Sequence, residues 1–463
     1  MLKPRRLLYL ALALAVGPAV SSLAQPAPVD FVSLSQFLDS VGRAGYADLV
    51  GSRQLAVESE AEFEGMRAHL LAQYEGVTAA HSFLIGSQYV DCIPVMEQPS
   101  VRQNGITALA PPPPLSSRLS PAPPSPPLLS PTSPAANMPP PGEPAQPLLE
   151  LGLDDSFGNA IHCDDGTIPM RRVTLDDLAR FPTLRAFLAK NAPPPAKPLV
   201  CPADYRYAVG QVGAQVPFYG ALTTLAVWYP SIHQAYGPFQ HSLSQMWVEG
   251  SSETSALQTA EAGWTVDPSR TGTTAATLFV YWTSTNYQSD GCYDLDCKGF
   301  VQTSSSWVLG APNWPGPSIS GNPSEQVFVG PLQWTMSGGN WWLSVGFCSP
   351  STSSSCTIGY YPGSIYRGGQ MSRHATVLRF GGEVFSPKSP AFSPMGSGAL
   401  ANAGANHAAY QFDSWYRTSS GSEVPANLDL VNCNTNSSCF TFECANSSCS
   451  SFYFGGPGGT SCP

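Results

Sequence analysis

Polar and apolar positions change rhythm along the chain. Phe63, Met66, Leu70, Tyr74 and Val77 recur every three or four positions, the period that lines one face of a helix. Ser59 and Glu62 stand at capping-box spacing just before that stripe, so a helix is predicted to start there and turn the stripe toward a core. Thr174 and Asp177 repeat the same signature further on. From about residue 203 the helical period disappears. Segments 275–282, 341–345 and 375–380 are β-branched and aromatic, with turn residues between them at short intervals. That texture predicts an antiparallel sandwich or barrel. No convincing internal repeat is visible.

Residues 111–147 contain 16 prolines. Proline lacks an amide donor and fixes its own φ, so the run builds neither sheet nor helix. It reads as an extended or disordered linker, with a polyproline ligand as the rival reading. The expected organisation is therefore an α+β unit over 25–110, the linker, a second ordered stretch over 148–200, and an all-β region over 201–463. Pro193, Pro194 and Pro195 end the second stretch, and exposed proline-rich joints are favoured places for nicking.

The first residues look like an address. Lys3, Arg5 and Arg6 precede an apolar run from Leu7 to Val16, and Ser22-Leu23-Ala24 offers a small-residue cleavage site. A signal peptide over 1–24 is expected; the rival is a membrane anchor, which that short run does not suit. Twelve cysteines agree with an oxidising compartment, where an even count reads as disulfides. A zinc cluster is the alternative, but no Cys-x2-Cys pair occurs. Secretion, to the exterior or a periplasm, is the resulting expectation.

Charge narrows the partners. The chain is 43% hydrophobic and 12% charged, with net charge −10. The charged share is about half the usual one, and the negative balance argues against nucleic acid and anionic membranes as partners. No metal or other cofactor is called for. There is no Gly-x-Ser-x-Gly elbow, no His-Glu-x-x-His and no phosphate loop beyond residue 203, which removes several hydrolase and nucleotide classes. His233, His241, His374 and His407 are scattered and read as ordinary surface or hydrogen-bonded histidines.

Carboxylates remain. Residues 203–463 hold 14 of them against eight Lys and Arg. Most lie among polar neighbours and read as solvated. Glu261 sits in Ala260-Glu261-Ala262-Gly263-Trp264, and Glu383 follows Arg379-Phe380-Gly381-Gly382. An acid in such apolar surroundings either points to solvent or is functional. Two carboxyls that share a site cannot both ionise easily, so one keeps a proton while the other activates water. Hydrolysis of a peptide or of a glycoside would both fit.

Several motifs resemble those of neprosin-family proteins. They are Glu261-Ala-Gly-Trp264, Tyr281-Trp282, the run from Gly291 to Gln302, Gly339-Asn-Trp-Trp-Leu343, Ile358-Gly-Tyr-Tyr-Pro362, Phe380-Gly-Gly-Glu-Val384 and the tail Phe452 to Gly458. Asp91-Cys92 with Gln98-Pro99, and Gly166-Thr-Ile-Pro-Met-Arg-Arg172, resemble the family's activation-peptide motifs. The resemblance implies a secreted β-sandwich endopeptidase, made as a zymogen, that hydrolyses peptide bonds next to proline in acid. It carries the catalytic pair onto Glu261 and Glu383, and it implies local pairing of Cys292 with Cys297. Cys92 and Cys163 match the two cysteine motifs of the activation part, which is expected to act as an inhibitor. Trp264, Trp282 and Trp341 are the candidate substrate-binding residues. The 111–147 linker has no counterpart in the family pattern. The Cys348 to Cys356 stretch looks like an inserted loop.

Two rival functions stay open on the residues. Paired carboxylates with many tryptophans suit a glycoside hydrolase. A non-catalytic extracellular binding sandwich would use Trp341 and Trp342 as a contact platform. A proregion argues against both, because it suggests an activity that must be held in check.

Overall fold

The computed structural model describes residues 30–50, 56–114, 147–190, 202–213, 216–346, 356–387, 391–432, 437–460 and 462. The signal-peptide segment, most of the proline-rich linker, Pro193 to Pro195 and Cys348 lie outside them. Residues 32–190 supply helices α1 (Leu34–Arg43), α2 (Tyr46–Val50), α3 (Glu60–Gln73), α4 (Pro99–Gln103), α5 (Leu175–Ala179) and α6 (Leu184–Leu188). They also supply the three-stranded antiparallel sheet β1 (His81–Ile85), β2 (Gln88–Pro94) and β3 (Thr167–Arg171).

Helix α3 begins where the sequence places it. The Ser59 hydroxyl accepts from the Glu62 amide at 3.2 Å, satisfying a donor that the first helical turn leaves without a partner. Phe63, Met66, Leu70, Tyr74 and Val77 are all buried. Thr174 caps α5 in a reciprocal box with Asp177. A second reciprocal box, Ser33 with Gln36, starts α1.

The rest of the chain is two stacked antiparallel sheets. One contains β4 (Tyr205–Val212), β6 (His241–Ser251), β7 (Leu257–Val266), β8 (Thr277–Thr283), β9 (Cys292–Tyr293), β14 (Val377–Phe385) and β17 (Asp429–Asn432), in the order β17-β4-β14-β6-β7-β8-β9. The other contains β5 (Gly220–Ala226), β10 (Val301–Gln302), β11 (Phe328–Ser337), β12 (Asn340–Val345), β13 (Thr357–Pro362), β15 (Ala409–Arg417), β16 (Glu423–Pro425), β18 (Thr441–Cys444) and β19 (Phe452–Gly455). The fold is thus mostly β, an antiparallel sandwich with a small α/β region before it, as the texture predicts. The short helix α7 (Pro268–Thr271) follows β7.

Alternation along each strand separates two cores. Met246, Val248, Ala260, Ala262, Trp264, Leu278, Val280, Trp282, Leu378, Phe380 and Val384 join the large inter-sheet core with Leu225, Leu332, Trp334, Leu343 and Ile358. Their neighbours on the other face of the seven-stranded sheet form a separate aromatic cluster, including Tyr205, Tyr207, Leu243, Trp247, Phe279, Tyr281 and Phe385. A sandwich normally exposes that outer face to water in polar residues. Here it is apolar and buried, which marks it as a surface built to be covered.

Disulfides Cys92–Cys163, Cys292–Cys297, Cys439–Cys462 and Cys444–Cys449 staple the described residues. Among those residues no helix is long and apolar enough to cross a membrane.

Candidate active site

Glu383 and Glu261 lie on the outer, aromatic face, on either side of the central strand β6. Register puts Glu383 opposite Leu243 and Glu261 opposite Trp247. Gln245 stands between those two on the same side of β6. The local sequence follows from backbone crowding. At Gly381, φ is 148° and a Cβ would lie 2.1 Å from the Ala208 carbonyl oxygen. At Gly382 a Cβ would meet the Phe454 ring at 2.4 Å. The Gly-Gly pair lets β14 pass between these neighbours and deliver Glu383.

The two carboxyls share one cation. Lys190 Nζ lies 2.9 Å from Glu261 Oε2 and 3.1 Å from Glu383 Oε2, and all three side chains are 0% exposed. Two oxygens bound to one nitrogen at those distances are no more than about 6 Å apart, close enough to act on one bond. The lysine comes from the 32–190 segment, just after α6. Its backbone amide donates to the Tyr281 hydroxyl at 3.1 Å, and its ammonium sits over the Trp247 ring, 5.2 Å from the centroid.

The glutamates have different partners. Glu261 accepts from Tyr287 Oη at 2.5 Å, Thr259 Oγ1 at 2.8 Å and Gln245 Nε2 at 3.1 Å. These donors remain when Lys190 is taken away. Glu383 contacts His241 Nε2 through Oε1 at 3.0 Å. Burial pushes the Glu383 carboxyl up, but Lys190 and His241 outweigh it and hold it below the ordinary glutamate value. Burial alone would strip Lys190 of its proton; Glu261 and then Glu383 reverse that and raise it. Burial, reinforced by Glu261, lifts the Tyr287 phenol well above its usual value, so it stays a neutral donor. Further along the same face Glu249 pairs with Arg379, whose Nε donates to Gln211 at 2.9 Å. Burial raises the Glu249 carboxyl despite Arg379.

The structure brings Glu261 and Glu383 together, and it does not bring the three tryptophans to them. Trp264 and Trp282 point the opposite way into the inter-sheet core, where Trp264 Nε1 donates to the Ala226 carbonyl at 2.9 Å. Trp341 belongs to β12 in the other sheet and donates to the Met371 carbonyl at 2.7 Å. The strand period decides this: on β7 and β8 the residues facing the site are Glu261 and Tyr281, and their odd-numbered neighbours, never residues 264 or 282. The tryptophan that does face the site is Trp247.

His241, Lys190, Gln245, Tyr287 and Trp247 are missed by sequence reasoning. Only His241 offered a signal, standing at the start of a strand-like run. Among the described residues no group of three or more His, Cys, Asp or Glu could hold a metal ion. Residues 238–457 match the family model described as Neprosin, a range that contains both glutamates, and the match is consistent with a peptidase.

Proposed function

From the premise that the chain belongs to the neprosin family, we propose that it is a secreted glutamic endopeptidase held latent by its own N-terminal segment. The observation that carries the reading is the buried pair Glu261 and Glu383 with the Lys190 ammonium between them. A pair of acids on an aromatic sheet face is suited to hydrolysis, and a lysine seated between them leaves no room for water and no free carboxyl to move a proton.

With Lys190 gone, Glu261 keeps three neutral donors. Three donors fix the orientation of the Glu261 carboxyl, and it is assigned as the general base. Glu383 loses its strongest cation and is the carboxyl that takes up a proton in acid. Water then gives a proton to Glu261 while its oxygen attacks the peptide carbonyl carbon, and protonated Glu383 donates to the carbonyl oxygen. As the tetrahedral intermediate collapses, the C–N bond breaks, the proton held by Glu261 passes to the departing nitrogen, and the hydroxyl formed from the carbonyl oxygen returns its proton to Glu383, which restores both carboxyls. The rings of Tyr205, Tyr207, Trp247 and Phe385 supply apolar faces on which a proline ring stacks, which supports the cut next to proline that the resemblance implies.

A carboxyl pair this close also fits a retaining glycosidase; the family match favours the peptide bond. The test is to acidify the full chain, add a proline-containing peptide and, separately, a glycan, and identify the products by mass spectrometry. Peptide cut beside proline is expected. Glu261→Gln and Glu383→Gln, trimmed by a trace of active protein, should each lose about 10²–10⁴-fold in rate. Glycan cleavage, or full activity in either variant, overturns the proposal.

A further inference from the structure

We infer that the carbonyl oxygens of Tyr287, Asp290 and Gly291 form a subsite for a cationic, guanidinium-bearing side chain of the peptide substrate, an inference that rests on the peptidase reading. In the latent chain Arg185 of α6 fills that place. Its Nη1 donates to the Gly291 carbonyl at 3.0 Å, and its Nη2 donates to the carbonyls of Tyr287 at 3.1 Å and Asp290 at 2.9 Å. Backbone carbonyls accept only, so three of them converging on one point select a donor with several N–H groups in a fixed fork.

The loop keeps this shape through its own side chains. The Asp290 carboxylate accepts from the Ser284 amide at 2.9 Å, Thr285 Oγ1 at 2.7 Å and Thr283 Oγ1 at 3.1 Å. Thr283 Oγ1 in turn accepts from the Tyr287 amide at 3.1 Å, and the Asn286 amide donates to the Leu257 carbonyl at 3.0 Å. Positive φ at Asn286, Tyr287 and Gly291 (56°, 61° and 95°) turns the chain within this network. None of these bonds involves Arg185, so its departure leaves the three acceptors in place to receive another donor.

The subsite adjoins the chemistry. Tyr287 places its hydroxyl on Glu261 Oε1 and its carbonyl on the guanidinium, so one tyrosine separates the two. Charge on the loop itself is divided, since the Asp290 carboxylate also pairs with the exposed Arg367 at 3.6 Å; beyond Tyr287, Glu261 binds the Lys190 ammonium at 2.9 Å.

Two measurements test this. In the full chain at neutral pH, Arg185→Ala opens the site, and ethylguanidinium should raise the melting temperature of that variant by about 2 °C or more while neutral ethylurea does not and wild type does not respond. No difference between the two additives overturns the carbonyl site. With the acid-treated wild-type chain, proline peptides that differ only in arginine or citrulline at one position should differ at least about tenfold in kcat/KM at some position. Equal rates at every position overturn the substrate role. Failure to cut any peptide sinks the peptidase reading instead, and the carbonyl site is then judged on the melting result.

Discussion

Lys190 and Glu261 form a 2.9 Å ion pair with no solvent access on either side. Burying a pair of charges costs several kcal/mol per ion, which close contact and extra hydrogen bonds offset. Glu383, at 3.1 Å from the same nitrogen, supplies a second counter-charge. The contact with Glu383 is favourable only while that carboxyl is ionised, which ties the proposed latency to pH.

The direction of that dependence follows from Glu383. Lys190 and His241 hold its carboxyl below the ordinary glutamate value. A group with a depressed value contributes stability above its free pKa and loses it as pH falls through the depressed one. Lys190, whose own value is raised, stays charged throughout. The contact between Lys190 and the acids should therefore hold at neutrality and weaken below about pH 4.5. Incubating the full chain across pH 3–7 and following intact mass checks this; trimming as fast at pH 7 as at pH 4 would contradict it.

Lys190→Met keeps the length of the side chain and removes its charge. Two buried carboxylates then lose their cation, a change worth about 3–5 kcal/mol against the docked segment. The purified full-length variant should hydrolyse peptide at pH 6 at least about tenfold faster than wild type. Unchanged latency would move the inhibitory contact elsewhere.

How much of this was legible depended on whether the signal was local. The helix over 60–73 announces itself through Ser59, Glu62 and a five-residue stripe, because capping and amphipathicity act within one or two turns. The glutamates are legible as acids in apolar strands beside glycines. Lys190 and Arg185 are not, since their partners are 71 and more than 100 residues away and nothing in their own neighbourhood marks them. The tryptophans show the opposite error. An aromatic beside a functional residue in sequence is, on a strand, on the opposite face from it, and Trp264 and Trp282 are core residues for that reason.

That distinction can be measured. Trp264→Ala removes a wholly buried indole and its bond to the Ala226 carbonyl, so it should cost about 3–5 kcal/mol of stability. Trp247→Phe keeps an aromatic ring on the site face and should instead raise KM for proline peptides with little change in melting temperature. Thermal melts and steady-state kinetics on both variants decide; a KM effect confined to Trp264 would restore the tryptophan that the strand period excludes.

His241 offers the sharpest test of how the two acids divide their work. Its Nε2 touches Glu383 Oε1 at 3.0 Å, the ring is buried between Tyr205 and Phe385, and it helps hold the Glu383 carboxyl down. It touches no atom of Glu261 in the hydrogen-bond network around that residue, so it acts as a positioning residue for one acid alone. Replacing it with Gln keeps a polar side chain but removes any charge, and the Glu383 carboxyl then moves up. If Glu383 is the acid that must be protonated for turnover, the protonated form persists to higher pH, and the alkaline limb of the rate profile shifts toward neutrality while kcat at the acid plateau changes less. If Glu383 were instead the ionised base, the same change would push the acidic limb upward and shrink the active range from below. Rate profiles of acid-processed His241→Gln and wild type between pH 3 and 8 separate the two outcomes, and an unchanged profile would remove His241 from the mechanism.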